Sequence, residues 1–181
     1  MSVAHRLKAT VMDAEAMRRS LSRIGHEIVE RNRGVGDVVL VGVVSRGDLI
    51  ARRLAERLSE LEGVHVPVGA IDASAHRDDA HLRVMDAARP ASKVPDISDR
   101  DVVLVDDVIF SGRTARAAMD ALMEFGRPRS IQLAVLIDRG HRQLPIRPDY
   151  VGKNVPTSDS ERVKVCLLER DGLDAAVILD A

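Results

Sequence analysis

Aromatic side chains are scarce in this chain. They make up 2% of its 181 residues (Tyr150, Phe110 and Phe125, with no tryptophan). Without a row of rings on which bases could stack, a general single-strand nucleic-acid binder is excluded. Cysteine is nearly absent as well. Cys166 stands alone, so no internal disulfide or multi-cysteine metal site can form. Its neighbours Val163, Val165, Leu167 and Leu168 mark it as a buried strand residue. Long apolar runs are also lacking. The longest, such as residues 38–44, fall far short of a membrane span. Residues 1–9 hold no continuous hydrophobic stretch of the signal-peptide kind, which predicts a cytoplasmic protein. Finally, neither sign of charge prevails: Lys+Arg number 27 and Asp+Glu 28, for a net charge of -1. A uniformly basic binder is ruled out, and any nucleic-acid contact must use a local patch balanced elsewhere.

What is present is ample for a packed core: 45% hydrophobic and 30% charged residues, in a length suited to one α/β domain covering residues 1–181. Residues 13–33 read as a helix, with Asp13 as N-cap and Gly34 and Gly36 as its stop. Met17, Leu21, Ile24 and Ile28 form its apolar stripe, and Arg19, Ser22, Arg23, His26 and Glu30 share the opposite face. The run DVVLVGVV over 37–44 predicts a strand buried on both sides. Ser45, Arg46 and Gly47 then turn the chain into a helix over 48–61, followed by a strand over 64–72. Residues 73–99 lack periodicity and carry Pro90 and Pro95, as a functional or mobile loop would. A buried strand over 101–108 leads to a helix ending at Phe125, and a strand covers 131–138. Residues 139–160 look irregular. The tail, with its Asp171-Gly172 turn signal, reads as a terminal β-hairpin. This order predicts an open, mostly parallel sheet flanked by helices, with a ligand cleft beyond the carboxyl ends of its strands.

The stretch VVLVDDVIFSGRT over 102–114 carries the most chemistry. A buried strand ends in two adjacent carboxylates, and a glycine-bearing turn opens a helix. Backbone N–H groups from Ser111 to Thr114 at a helix N-terminus suit a phosphate. Gly112 permits close approach, and the hydroxyls of Ser111 and Thr114 add donors. Asp106 and Asp107 are acceptors suited to ribose hydroxyls. Together they describe a site for a phosphorylated sugar.

This span resembles the phosphoribosyl-pyrophosphate (PRPP) signature of type I phosphoribosyltransferases. MRRSLSRIGHEI over 17–28, DALMEFGRPRSIQLAVLIDRGHRQLPIR over 120–147 and DYVGKNVPTS over 149–158 extend the likeness to the PyrR family. Members of that family are pyrimidine-operon attenuation proteins and uracil phosphoribosyltransferases. The resemblance covers roughly residues 10–168. It implies the type I phosphoribosyltransferase fold with a small hood, and a uridine-nucleotide-responsive regulator that binds a hairpin in the pyrimidine-operon mRNA leader when UMP or UTP is present. It also implies conversion of uracil and PRPP to UMP and diphosphate with Mg²⁺, the metal being held mainly through the substrate.

Residue by residue, the resemblance places Asp106 and Asp107 on the ribose. Val108, Ile109, Phe110, Ser111, Gly112, Arg113 and Thr114 would hold the 5′-phosphate. Ser45, Arg46 and Gly47 would form the diphosphate loop. Arg77 would be a phosphate contact in the mobile loop over 73–99, and Asp138 and Arg139 would lie at the base. The family's loop has apolar residues and a tyrosine where this chain has Ala73, Ala75 and His76, an exchange expected to weaken loop closure. Arg19, Ser22, Arg23, His26, His141, Arg142, Arg147 and Lys153 match positions assigned to RNA. Family members form homodimers or larger homo-oligomers. The alternative is a plain uracil salvage enzyme whose basic face is ordinary surface; transfer to another base is a weaker possibility.

The charge pattern supplies the local patch that the composition requires. Residues 17–33 carry Arg18, Arg19, Arg23, Arg31 and Arg33 against Glu27 and Glu30, and residues 139–153 carry Arg139, Arg142, Arg147 and Lys153 against Asp149. With so few rings, recognition must use phosphate contacts and hydrogen bonds to an RNA fold. Raising salt from about 50 to about 200 mM in a filter-binding titration is therefore expected to weaken RNA binding steeply, log affinity falling linearly with log salt. A flat response would contradict this.

Overall fold

A computed structural model describes residues 6–77 and 92–180. Of the expected loop over 73–99, residues 78–91, including Asp78, Asp79 and Pro90, lie outside the described residues. Five parallel strands form the central sheet, in the order β3-β2-β4-β5-β6. They are β2 (Val38–Val43), β3 (Val68–Ile71), β4 (Asp101–Ile109), β5 (Ser130–Asp138) and β6 (Tyr150–Asn154). Side-chain alternation divides the interior strands between two cores. Leu40, Val103, Val105, Ala134 and Leu136 face one side. There they pack on the apolar stripes of α1 (Ala14–Asn32) and α2 (Gly47–Glu62). Val39, Val41, Val102, Leu104, Leu133 and Val135 face the other side, against the alanine-rich face of α3 (Arg113–Leu122). Both faces are covered, so the strands read as continuous apolar runs.

The chain ends build a second, antiparallel sheet, the hood. Its order is β1-β8-β7, from β1 (Arg6–Met12), β7 (Arg162–Cys166) and β8 (Ala175–Asp180). The expected terminal pair is present as β7 and β8. Its connection is a single helical turn, α4 (Leu168–Asp171), closed by Gly172 at φ 77°. Cys166 is buried at the end of β7, as expected.

Other elements differ from expectation for identifiable reasons. Asp13 does cap α1, accepting from Ala16 N–H at 2.7 Å, but the left-handed stop is Arg33 at φ 54°, one residue before the glycine. The strand expected over 64–72 shortens to Val68–Ile71, and the helix expected to reach Phe125 ends at Leu122. β6 lies inside the stretch read as irregular: its sequence YVGKN does not alternate, and pairing with β5 defines it. β1 is largely exposed, and is a strand because β8 lies beside it.

The hood is fastened to the main body through α2. The guanidinium of Arg53 donates to Glu169 at 2.8 and 2.5 Å and to Asp174 at 3.0 and 2.7 Å. The two carboxylates hold its pKa above the ordinary arginine value, the Glu169 hydrogen bond contributing most. Replacing Arg53 with Met should cost about 1–3 kcal/mol, less than for a fully buried network because Glu169 is partly exposed. Amide exchange should accelerate in β7 and β8 and not in β4 or β5. Uniform acceleration across both sheets would show that Arg53 is no hood fastener.

Candidate active site

The carboxyl ends of β2, β4 and β5 meet at one cleft, as the open-sheet rule requires. At its floor, β4 runs into Asp106, which is 9% exposed, and Asp107 beside it. Local backbone donors meet both carboxylates: Asp107 N–H reaches Asp106 Oδ1 at 2.9 Å and Val108 N–H reaches Asp107 Oδ1 at 2.8 Å. Burial pushes the carboxyl of Asp106 well above the usual range, the charge of Asp107 adds to this, and Arg77 opposes it. Burial also raises Asp107, against the hydrogen bond with Asp106 and the nearby charge of Arg46.

After the acid pair, Phe110, Ser111 and Gly112 turn the chain into α3. Gly112 sits at φ 90° directly ahead of the helix, a conformation that a Cβ would strain. Around this turn lies a cavity of about 130 Å³ lined by Arg77, Asp106, Ser111, Gly112 and Thr114 among others. Arg77 Nη1 donates to Thr114 Oγ1 at 3.0 Å, so the sequence-predicted Arg77 stands at this cavity. Donors, a cation and a helix N-terminus thus converge on a space of phosphate size.

The loop between β2 and α2 forms the opposite wall. Ser45 follows a cis peptide from Val44, and Gly47 opens α2. A Cβ on Gly47 would lie 2.3 Å from the Val105 carbonyl oxygen and 3.0 Å from Asp106 Cα. Only glycine lets this loop press against the acid pair.

The third wall comes from β5 and the loop after it. Asp138 pairs in register with Ile109, and its carboxylate accepts from Arg142 at 2.5 Å and from Gly140 N–H at 3.0 Å. Arg139 is buried with its guanidinium 4.1 Å from the centre of the Phe110 ring, and it donates to Thr157 Oγ1 at 2.9 Å and to the Ser158 carbonyl at 3.1 Å. Its pKa falls below the ordinary value because of burial. A cleft of about 670 Å³ opens here, between Asp138, Arg139, Arg147 and Pro156.

The family model for the phosphoribosyl transferase domain matches residues 11–170. A Brevibacillus brevis protein named Bifunctional protein PyrR is 55% identical, over 94% of this chain and 96% of that one. Its namesake from Pelotomaculum thermopropionicum is 56% identical over 97% of each. This chain belongs to the PyrR family of phosphoribosyltransferases. Among solved structures, the hypoxanthine phosphoribosyltransferase of Trypanosoma cruzi superposes with a TM-score of 0.71 at 21% identity, covering 96% of this chain and 97% of its own. A Bacillus anthracis hypoxanthine-guanine phosphoribosyltransferase gives 0.67 at 19%, covering 95% and 98%. These two share the fold.

The eight residues matched to RNA in PyrR fall into two groups. On α1 and β6, Arg19 pairs with Glu15, Ser22 accepts from Arg57 at 2.9 Å, and His26 is exposed. Arg23 donates to the carbonyls of Val151 and Gly152 at 3.2 and 2.6 Å, and Lys153 donates to that of Val11 at 2.7 Å. On the cleft rim, Arg147 is exposed, while His141 contacts the Thr157 carbonyl and Asp159. Arg142 turns inward to Asp138 and to the Phe110 and Ile146 carbonyls. Ser111 carbonyl also accepts from Gln143 and Leu144 N–H groups, so the rim loop is tied directly to the phosphate turn. Sequence reasoning missed Asp171, whose only signal was a turn dipeptide, and Thr157, which lay unassigned inside a family-specific stretch.

A raised carboxyl pKa makes this acid pair a cost at neutral pH. The protonated form is favoured by folding, so the stability it contributes is complete below the unfolded value of about 3.9 and is lost as pH rises through the raised folded value. Replacing Asp106 with Asn keeps the acceptor for Asp107 N–H and removes the charge. The melting temperature at pH 7 should therefore rise by roughly 2–6 °C, and the gain should vanish near pH 4. A lower melting temperature at pH 7 would refute the assigned burial cost.

Proposed function

We propose that this chain is a uridine-nucleotide-responsive RNA-binding regulator of pyrimidine biosynthetic genes that also converts uracil and PRPP to UMP and diphosphate. It would act in the cytoplasm as a homodimer or larger homo-oligomer. The observation that carries this reading is the junction of the acid pair, the phosphate turn and the rim loop in a chain with near full-length PyrR relatives.

In the reaction, the bond from C1′ to the diphosphate oxygen breaks and diphosphate leaves with the electron pair. Uracil N1 forms the new bond to C1′ and gives up its proton. Positive charge develops on the ribose, so positioning and charge stabilisation dominate. Asp106 and Asp107 accept from the ribose hydroxyls, and the 111–114 turn with Arg77 holds the 5′-phosphate. Arg46 offsets charge on the diphosphate. Arg139, stacked on Phe110, shapes the base end with Asp138. Mg²⁺ bound with PRPP would supply charge neutralisation at the diphosphate, making it a better leaving group. Two adjacent buried carboxylates fit a cation whose other ligands are substrate oxygens.

Regulation follows from the same contacts. Arg142 holds Asp138 and the Phe110 carbonyl together, so a nucleotide that orders the turn also orders the loop carrying His141 and Arg147. By linkage, UMP tightens RNA binding and RNA tightens UMP binding by the same factor. UMP is expected to strengthen binding of a pyrimidine-operon leader hairpin roughly tenfold; equal, weak affinities with and without UMP would leave a plain salvage enzyme. Replacing Asp106 and Asp107 with Asn should lower kcat about 10²-fold or more, and unchanged turnover would sink the assigned site.

A further inference from the structure

Arg46, the N-cap of α2, and Arg53 within that helix lie seven residues apart, about two turns along one side of it. Both reach the hood turn α4, yet their bonding differs sharply. Arg53 is saturated by two carboxylates. Among the described residues Arg46 meets Asp171 alone, its Nη2 lying 3.2 and 3.5 Å from the two carboxylate oxygens. Its Nε is buried without a hydrogen-bond partner among the described residues. A buried guanidinium nitrogen without an acceptor is costly, and here it sits in the loop that faces the acid pair. Asp171 itself is firmly set. Its second oxygen accepts from Leu167 N–H at 2.9 Å, and this donor, followed by Arg46, holds its carboxyl below the usual range. The neighbouring Arg170 donates to the Ser45 carbonyl at 3.3 Å, a second tie between α4 and the same loop.

We propose that Asp171 is a positioning residue for PRPP: from the hood it orients Arg46 at the mouth of the diphosphate loop, leaving the guanidinium's remaining donors for the incoming diphosphate. The inference rests on reading Ser45, Arg46 and Gly47 as the diphosphate loop. It gives the hood a role in substrate capture, because α4 holds the arginine in place before PRPP arrives and so reduces the ordering cost of binding.

The test is a double-mutant cycle on the full chain, reading the KM for PRPP, the KM for uracil, and UMP binding by calorimetry. UMP carries no diphosphate and so reports on folding of the rest of the site. Arg46→Ala should raise the PRPP KM roughly tenfold or more. Asp171→Asn should raise it roughly three- to tenfold, with uracil KM and UMP affinity within about twofold of the parent chain. In the Arg46→Ala background, Asp171→Asn should add less than about a twofold change. Asp171→Glu, which keeps the carboxylate, should restore most of the loss and covers the case in which the Asn variant folds poorly. An unchanged PRPP KM in Asp171→Asn, or an equal loss in both backgrounds, would overturn the inference while leaving the loop assignment intact. An unchanged PRPP KM in Arg46→Ala would instead overturn the loop assignment and the inference with it.

Discussion

Two carboxyl groups on adjacent residues, at the buried end of a central strand, are the constraint around which the cleft is arranged. The backbone of Gly47 approaches the pair so closely that any side chain there would collide with β4. The acid pair must then be supported by the protein, and the surroundings supply that support in parts. Each carboxylate takes a local N–H, and Arg77 and Arg46 contribute opposite charge from the two sides. Even with this support, burial keeps both carboxyl pKa values raised.

A chain with few rings makes its planar contacts with guanidinium groups. Arg139 lies over Phe110 and Arg31 over Tyr150, so two of the three aromatic residues carry an arginine. The arginines around the cleft divide the remaining work by how completely they are bonded. Arg53 is fully engaged and fastens the hood. Arg142 bridges a carboxylate and three carbonyls and ties the rim loop to the turn ahead of α3. Arg46 keeps a donor in reserve. Identical side chains thus differ in how firmly they are held, and their partners decide it.

On the basic face, Arg23 and Lys153 give hydrogen bonds to backbone carbonyls of β6 and β1, which protects an edge strand with no further neighbour in its sheet. Arg23 also pairs with Glu27 at 3.3 Å, whereas Lys153 meets only the neutral Val11 carbonyl among the described residues.

The central strands, the helices that cover them and the acid pair ahead of the glycine turn were all legible in the sequence. Their signals are local: continuous apolar runs, a 3.6-residue stripe, and chemistry concentrated between residues 102 and 114. β1, β6 and α4 were not legible, because an exposed terminal strand, an edge strand with a non-alternating sequence and a single helical turn draw their hydrogen bonds from distant segments. The partners of the arginines were hidden for the same reason. Arg46 and Asp171 are 125 residues apart, and the residue types alone do not state which carboxylate meets which cation. Local periodicity and turn chemistry determined the scaffold and the identity of the acid pair. The tertiary fold decided the charge pairing, since Coulomb interactions depend on distance in space, and only packing the hood on α2 brings those charges together.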